Sequence, residues 1–372
     1  MAKLRVLYFG SGGGKGVTHM MVNLAVGHAR GGRVEPCIVF RRKRGPLAEV
    51  FCRQLKEAGV AYREVQPRPR SATMAQLGDA IREFRPDVVV GQGYPEHLRA
   101  REAGLEAGVP VLLQVEQNHE RYKWLDLRRS KQLAACTDAI VAVSQAVAAH
   151  LRSLGLPADK LRVIYNAVRL DRFCSAARPF AEREPVVMST ARFGRQKDHA
   201  TLLRAVALLR DRGRPVRLRM AGSGKRLQRW HARWLVYRLG LGNCVEFLGQ
   251  RSDVPELVGR SRVFVLSTHF EGLPLGLIEA MASGCAVIGT RAPGVEELIE
   301  HGRTGFLAAP GDPAAMADCL EAALGAEGER CAAVAREETP GVCGLERITA
   351  EYENLFDELV AAKRAARGGA GG

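Results

Sequence analysis

Short apolar runs recur along the chain, separated by helix-length segments of mixed apolar and polar residues. In the N-terminal half these runs occupy residues 4–9, 36–40, 87–93, 110–117, 139–144 and 161–166. In the C-terminal half they occupy residues 185–190, 216–222, 245–249, 263–267, 286–290 and 305–310. Runs without polar alternation are typical of strands buried on both faces, as in a parallel sheet covered by helices. Strands of this kind alternating with helices predict an α/β fold.

The two halves are separated by a polar stretch with two prolines, "LDRFCSAARPFAEREP" (170–185). We therefore expect two Rossmann-like domains, one over residues 1–175 and one over 176–344, facing each other across a cleft. Residues 345–366 carry an amphipathic stripe that predicts a terminal helix packed back on the protein. The stripe consists of Ile348, Tyr352, Leu355, Phe356 and Leu359. The tail 367–372 is expected to be disordered.

The segment 312–325 contains residues that begin and end helices. Asp312 can cap a helix and Pro313 fits its first position. Gly325 is expected to end this helix in the left-handed conformation.

Composition and charge narrow the class of protein. The 372 residues are 47% hydrophobic and 26% charged, which is ordinary for globular proteins. No apolar run approaches the roughly 20 residues that span a bilayer, and the N-terminal run is too short for a signal peptide. The nine cysteines are scattered without a Cys-x-x-Cys pair, which argues against a disulfide or metal framework. We therefore expect a cytoplasmic protein.

The formal net charge of +15 suits an anionic partner, although a surface rich in arginine is an equal alternative. The densest basic run, "RRKR" at 41–44, is short and lacks interleaved aromatics, so no nucleic-acid partner is expected. The stretch "HERYKWLDLRRSK" (119–131) combines Trp124 with basic residues. It is interpreted either as a contact with an anionic acceptor or membrane surface, or as a solvated helix with two buried aromatics.

A glycine-rich stretch, "FGSGGGKGVTHM" (9–20), follows the first apolar run. A Walker A loop needs Gly, four residues and then Gly-Lys-Ser/Thr. Here Phe9 stands at the first glycine position and Lys15 is followed by Gly16, which disfavours a P-loop hydrolase. Two readings stay open, a tight turn that needs glycine and a helix N-terminus that binds an anion.

The richest stretch is "STHFEGLPLGLIEAMASGCAVIGTRAPGVEELIEHGRTGFLAAPGD" (267–312). Pro274 can open a helix whose first backbone N–H groups, with those of the preceding loop, suit a diphosphate. If Glu271 and Glu279 were both helical, they would lie about 80° apart and could both contact sugar hydroxyls. No Asp-x-Asp sequence is present to hold a metal ion.

This stretch resembles the Glu-x7-Glu signature of GT-B fold glycosyltransferases of family four, a retaining group that uses nucleotide sugars. The stretch "ARFGRQKDHATLLRAVALL" (191–209) is similar to that family's Arg-x4-Lys element. Further matching segments are "VIYNAV" (163–168), "AGSG" (221–224) and 245–268. The likeness covers nearly the whole chain and is strongest over residues 185–312.

The resemblance implies a role for each matching residue. Arg192 and Lys197 would neutralise the donor diphosphate, Glu271 would meet the transferred sugar, and Glu279 would hold the ribose. Donor contacts are also implied for Gly14, Gly16, Gly272, Leu273, Pro274 and Leu275. A histidine that the family usually carries after the strand at 110–117 is replaced by Gln117 in the best register. Either His119, two residues further on, takes that catalytic role or the role is lost, and Glu116 is an equal candidate.

The resemblance further implies an activity. The protein is expected to be a retaining hexosyltransferase that needs no metal and moves sugar from a UDP-sugar, or a GDP-sugar, to an acceptor hydroxyl. Cell-envelope polysaccharide or lipopolysaccharide synthesis is the preferred setting, with peripheral contact at the inner face of the membrane. The alternatives are glycosylation of a small secondary metabolite and a non-catalytic protein that binds sugar nucleotides or other anions.

Overall fold

The computed structural model describes residues 3–13, 16–42 and 47–368, with side chains to 366. The chain forms two compact units. The first combines Met1–Ala167 with Leu345–Gly372, and the second is Val168–Gly344. The sequence predicted a domain boundary at 175/176, and in the structure the first unit gives way to the second between Ala167 and Val168. Of the tail 367–372 that was expected to be disordered, residues 367–368 continue the last helix, so the prediction is wrong there, and residues 369–372 lie outside the described residues.

The first unit is built on a parallel sheet of seven strands in the order β3-β2-β1-β4-β5-β6-β7. Its elements are β1 (Leu4–Ser11), α1 (Gly16–Gly31), β2 (Val34–Arg41), α2 (Glu49–Glu57), β3 (Ala61–Val65), α3 (Arg70–Phe84), β4 (Val88–Gln92), α4 (Glu96–Glu106), β5 (Val111–Glu116), α5 (Trp124–Ala134), β6 (Ala139–Ala142), α6 (Gln145–Ser153) and β7 (Leu161–Val163). The order reverses between β1 and β4, which places the carboxyl ends of these strands at a switch point.

The second unit is built on a parallel sheet of six strands in the order β10-β9-β8-β11-β12-β13. Its elements are α7 (Leu170–Ser175), β8 (Glu184–Thr190), α8 (His199–Asp211), β9 (Arg217–Ala221), α9 (Arg226–Arg238), β10 (Val245–Gly249), α10 (Val254–Arg260), β11 (Ser261–Leu266), α11 (Leu275–Ala282), β12 (Ala286–Thr290), β13 (Phe306–Ala308), α12 (Pro313–Leu324) and α13 (Ala326–Cys343). Here the order reverses between β8 and β11. The predicted α/β fold is confirmed.

Each apolar run predicted from the sequence contains a strand, and most of these strands lie in the interior of their sheets and are buried on both faces. Val187, Val263 and Ile288 are fully buried examples in the second unit. The strand that the pattern missed is β3, which lies at the edge of the first sheet. Most of its "AYREV" side chains are exposed, so it lacks an apolar run. An edge strand needs only one row of backbone hydrogen bonds.

The last helix, α14 (Leu345–Gly368), belongs to the first unit. Of its predicted stripe, Leu359 is half-buried, and the buried members are Ile348, Tyr352, Leu355 and Phe356. Glu353 contacts Nδ1 of buried His28 at 3.0 Å, and Nε2 of His28 contacts the Tyr8 hydroxyl at 2.8 Å. This chain of polar contacts joins α14 to α1 and β1.

The ends of α12 show one confirmed and one wrong prediction. The Asp312 carboxylate accepts hydrogen bonds from the N–H groups of Ala314 and Ala315, with Pro313 at the first helical position. Gly325, expected to be left-handed, has φ −93° and ψ −166°. The prediction was wrong because Gly325 also precedes the first residue of α13, and this extended conformation redirects the chain into the next helix.

Candidate functional site

In the second unit, the loops that follow β8 and β11 meet at the switch point of the sheet. The N–H of Asp198 donates to the Ser267 carbonyl at 3.1 Å, and the N–H of His269 donates to the Gln196 carbonyl at 2.9 Å. Residues Lys197 and Thr268 form an isolated antiparallel bridge. Because open parallel sheets bind ligands at this point, these two loops form the candidate site.

An ion pair joins the two loops. Lys197 Nζ contacts Glu271 Oε1, and both side chains are mostly buried. The Thr268 hydroxyl donates to the same carboxylate oxygen at 2.8 Å. Of the predicted catalytic residues, the structure therefore brings Lys197 and Glu271 into direct contact. A largely desolvated cation beside an oriented carboxylate can bind a group that carries both phosphate and hydroxyl oxygens.

Glycines allow close backbone packing around this pair. A Cβ atom on Gly222 would lie 2.1 Å from the Ala191 carbonyl oxygen, after β8. At Gly294, where φ is +78°, a Cβ would lie 2.4 Å from the carbonyl oxygens of Glu271 and Gly272. Larger residues at these positions would push the loops apart. Gly222 belongs to the "AGSG" segment singled out in the sequence.

Helix α11 begins beside the pair. Pro274 has an extended backbone and precedes the first helical residue, Leu275. The first N–H groups of a helix have no acceptor within it and carry the positive end of its dipole, so they suit an anion. Glu271 precedes α11 and is not helical, so the 80° estimate for Glu271 and Glu279 does not apply. Gly272 and Leu273, in the same loop, are buried.

Glu279 lies within α11, half-buried. Burial raises the pKa of its carboxyl to about 7, and the positive charge of Arg172 partly offsets this effect. A carboxyl group with such a pKa is partly protonated at neutral pH and can both accept from and donate to a hydroxyl group.

Arg192 follows β8 and its side chain is exposed. Nothing in the described part of the chain forms an ion pair with its guanidinium. Its carbonyl oxygen lies 3.4 Å from Nε2 of His199, and burial lowers the pKa of that imidazole to about 4. Arg192 therefore stays available for an anion, while His199 is uncharged at neutral pH.

The first unit has its own switch point, where β1 leads into α1. Gly14 lies outside the described residues, and Gly16 is the first residue of α1. The Thr18 hydroxyl donates to the Ser11 carbonyl at 2.7 Å, and the Gly12 N–H donates to the Arg41 carbonyl at 3.0 Å. These two hydrogen bonds hold the start of α1 to the end of β1, and the end of β1 to the neighbouring strand β2.

Gln117 and His119 lie on different sides of the chain after β5. The Gln117 side chain donates to the Gln92 side chain, at the end of β4, at 3.0 Å. The His119 ring lies against the His150 ring of α6, with centroids 5.4 Å apart. Gln117 is therefore the residue that faces the neighbouring strand end.

A buried polar network lies under the same strand ends, and of its members the sequence indicated only Glu116. Glu116 Oε2 accepts from the Tyr122 hydroxyl at 2.6 Å and lies 3.5 Å from Nε2 of His97. Arg101 donates to Ser130, and its Nη2 atom lies 2.9 Å from Nδ1 of His97. Burial raises the pKa of Glu116 to about 8 and lowers that of His97. A glutamate at the end of an apolar strand was the available signal.

Comparison with known proteins agrees with both halves of the fold. Residues 14–172 match the family model "Glycosyltransferase Family 4", and residues 184–325 match "Glycosyl transferases group 1". The chain belongs to the GT-B glycosyltransferases of family four. Anabaena Alr3699/HepE, solved in complex with UDP and glucose, superposes on this family member with a TM-score of 0.82 at 20% identity. The superposition covers 95% of this chain and 100% of that chain.

Two curated relatives share parts of the chain. The N-acetyl-alpha-D-glucosaminyl L-malate synthase of Bacillus anthracis is 29% identical over 60% of this chain and 60% of its own. The lipopolysaccharide core biosynthesis glycosyltransferase LpsE of Rhizobium meliloti is 30% identical over 59% of this chain and 64% of its own. The chain therefore spans less than two thirds of the length of either relative.

Proposed function

We propose that this protein transfers a hexose from a nucleotide-sugar donor, preferably a UDP-sugar, to an acceptor hydroxyl with retention of the anomeric configuration. The observation that carries the proposal is the contact between Lys197 and Glu271 at the switch point, beside the start of α11. Two positive features, the ammonium and the helix N-terminus, face the place where a diphosphate would lie. A carboxylate that can bind sugar hydroxyls adjoins them.

The chemistry requires charge stabilisation at the leaving group. The bond between the anomeric carbon and the donor phosphate oxygen breaks, and negative charge builds on that oxygen. Lys197, Arg192 and the N–H groups at the start of α11 would stabilise this charge in the transition state. The acceptor oxygen bonds to the anomeric carbon on the face that the diphosphate leaves, and the hydroxyl proton passes to the departing diphosphate. Glu271 and Glu279 would orient the sugar and the ribose.

A thermal shift assay tests donor binding without knowledge of the acceptor. UDP at 100 times its dissociation constant adds about 2.7 kcal/mol of stability, which raises the melting temperature by a few degrees. We expect shifts with UDP, or with GDP, and none with ATP or ADP. Arg192→Ala should abolish the shift, while Arg195→Ala, an exposed arginine in the same loop, should retain it. A shift with ATP alone would contradict the proposal.

We further propose that transfer needs no metal ion, because the positive charge comes from Arg192, Lys197 and the helix N-terminus. Nucleotide release from a UDP-sugar should then proceed at the same rate with an excess of EDTA as without it. A loss of activity that magnesium or manganese restores would overturn this part of the proposal. Binding of UDP without any turnover, with every acceptor tried, would favour the non-catalytic alternative.

We propose cell-envelope polysaccharide or lipopolysaccharide synthesis as the setting, which the name of the LpsE relative supports.

None of the described helices is long and apolar enough to cross a membrane. We propose a peripheral contact with the inner face of the membrane through the basic segment 119–131. Trp124, at the start of α5, is 71% exposed, so the alternative with two buried aromatics is wrong for this residue. Incubation with lipid-linked saccharide extracts and with small hydroxylated metabolites would separate the two acceptor classes.

A further inference from the structure

Helix α9, in the second unit, has two apolar faces. Ala232, Leu235 and Val236 are buried and pack in the core of the unit. On the outer face, four large apolar side chains are exposed: Leu227 (66%), Trp230 (61%), Trp234 (42%) and Tyr237 (81%). Burial of the first face explains how α9 is held in the unit. Packing within the unit does not explain why the second face is apolar.

The exposed residues form one continuous ridge. At 100° per residue, positions 227, 230, 234 and 237 fall within about 80° of the helix circumference and extend for about 15 Å. The rings of Trp230 and Trp234 stack with centroids 6.5 Å apart and an interplanar angle of 18°. Exposed apolar surface concentrated in this way marks an interaction site.

Positive charge surrounds the ridge. Arg226 and Arg233 lie along one side of it, and Arg238 lies on the other, with its guanidinium 5.9 Å from the Trp234 ring centroid. Residues 212–245 contain nine Arg or Lys residues and no Asp or Glu, and of these nine Arg212, Arg214 and Arg219 pair with carboxylates of other segments. The partner of this face must therefore be both anionic and able to accept apolar side chains.

The chemistry of the ridge favours one partner over the others. A second copy of the chain would bring the same arginines together, which opposes association. Nucleic-acid bases would need free ring faces, but Trp234 is already stacked with Trp230 and His231. An anionic bilayer surface accepts Trp, Tyr and Leu at the headgroup level and pairs with flanking arginines.

We propose that the α9 ridge, Leu227, Trp230, Trp234 and Tyr237 with its flanking arginines, docks the second unit on an anionic lipid surface. This site is separate from the donor site and from the basic segment 119–131 of the first unit. The helix would lie along the membrane plane, with the four side chains inserted among the headgroups and the arginines against lipid phosphates.

The three tryptophans of the chain allow a direct test. They are Trp124, Trp230 and Trp234, so Trp124→Phe leaves fluorescence that reports on α9 alone. The full chain is mixed with vesicles of phosphatidylcholine, or of phosphatidylcholine with phosphatidylglycerol, with and without brominated chains. We expect a blue shift and quenching of this variant by brominated phosphatidylglycerol vesicles. Vesicles of phosphatidylcholine alone should bind this variant at least tenfold more weakly, as measured by the same blue shift and quenching.

Matched variants identify the residues responsible. In the Trp124→Phe background, Leu227→Ser with Tyr237→Ser should weaken vesicle binding at least tenfold, whereas Leu105→Ser, an exposed leucine on α4, should not. Arg226→Gln with Arg233→Gln should weaken binding more than the exposed control Arg330→Gln. Every variant should keep the wild-type melting temperature and the UDP-induced shift, which separates this proposal from the proposed function.

Three results would overturn the docking proposal. One is unchanged Trp124→Phe emission with phosphatidylglycerol vesicles. Another is equal loss of binding in Leu105→Ser and in the double serine variant. The third is a change in Trp124→Phe emission with polyuridylic acid at concentrations where vesicles cause no change. That result would identify a nucleic-acid surface instead.

Discussion

Lys197 and Glu271 are 74 positions apart in the sequence and share one ion pair at the end of two adjacent strands. The pair gives each residue a defined position, because Thr268 also donates to the Glu271 carboxylate. At the scale of single residues, the proposed donor site therefore depends on two opposite charges that pair with each other before any ligand binds. A diphosphate would compete with Glu271 for the Lys197 ammonium.

Lys197→Ala should remove the preference of the protein for diphosphates. A charge-assisted hydrogen bond contributes about 1.5–3 kcal/mol, so the dissociation constant for UDP should rise about 10- to 100-fold while that for uridine changes little. Isothermal titration calorimetry measures both values. Arg195→Ala is the matched control, since it removes a neighbouring exposed charge. An equal loss of uridine and UDP affinity would show that Lys197 supports the loop and does not bind the diphosphate.

Glu116→Gln should change how stability depends on pH. Burial raises the pKa of Glu116 from 4.5 to about 8, so the folded protein holds a proton that the unfolded chain releases between these pH values. The wild type therefore loses stability as pH rises from 4.5 to 8, and Gln removes that loss. We expect Glu116→Gln to be similar in stability to wild type at pH 5 and about 4 kcal/mol more stable at pH 8.5.

Urea unfolding at the two pH values measures this difference. Glu106→Gln, on the exposed end of α4, serves as the control and should follow the wild type at both. If the unfolding free energy changes by the same amount between the two pH values in wild type and in Glu116→Gln, the Glu116 carboxyl is ionised in the folded protein.

At the scale of elements, strand order determines which loops meet. β8 and β11 are neighbours although two strands and three helices separate them in the sequence. Helix α14 shows the same effect, since it lies at the end of the chain and packs on α1 of the first unit. Its amphipathic pattern predicted a helix, but the pattern alone did not identify the surface that covers it.

Phe356→Ala should destabilise the first unit. Phe356 is fully buried on α14, and removing such a ring costs about 3–5 kcal/mol. Urea unfolding followed by circular dichroism gives the change in unfolding free energy. Glu358→Ala, an exposed position on the same helix, should stay within about 0.5 kcal/mol of wild type. A small effect of Phe356→Ala would show that α14 contributes little to the unit.

At the scale of the whole molecule, the chain divides into two units with separate cores and separate switch points. The proposed donor contacts of the second unit come from the segments that follow two neighbouring strands of its sheet, β8 and β11. The net charge of +15 is a property of the whole chain, and residues 212–245 concentrate part of it in the second unit.

Hydrogen exchange should show that UDP binds in the second unit. UDP should slow exchange in the loops 191–198 and 267–276 of the second unit, because ligand binding suppresses local opening. Peptides from α14, in the first unit, should exchange at the same rate with and without UDP. Mass spectrometry of the peptides measures both, with uridine as the control ligand. Protection confined to the first unit would place the nucleotide there and contradict the assignment of the donor site.

The sequence by itself determined the α/β class, the two sheets and nearly every strand, because buried parallel strands must be apolar on both faces and leave a clear pattern. It also indicated Glu271, Lys197 and the start of α11, since their spacing matches a family motif. Only the tertiary structure decided that Lys197 contacts Glu271, that Glu116 is buried with His97, and that the Trp230–Trp234 face of α9 points outward. These facts depend on which distant segments become neighbours, and that is set by strand order and packing, which local patterns do not encode.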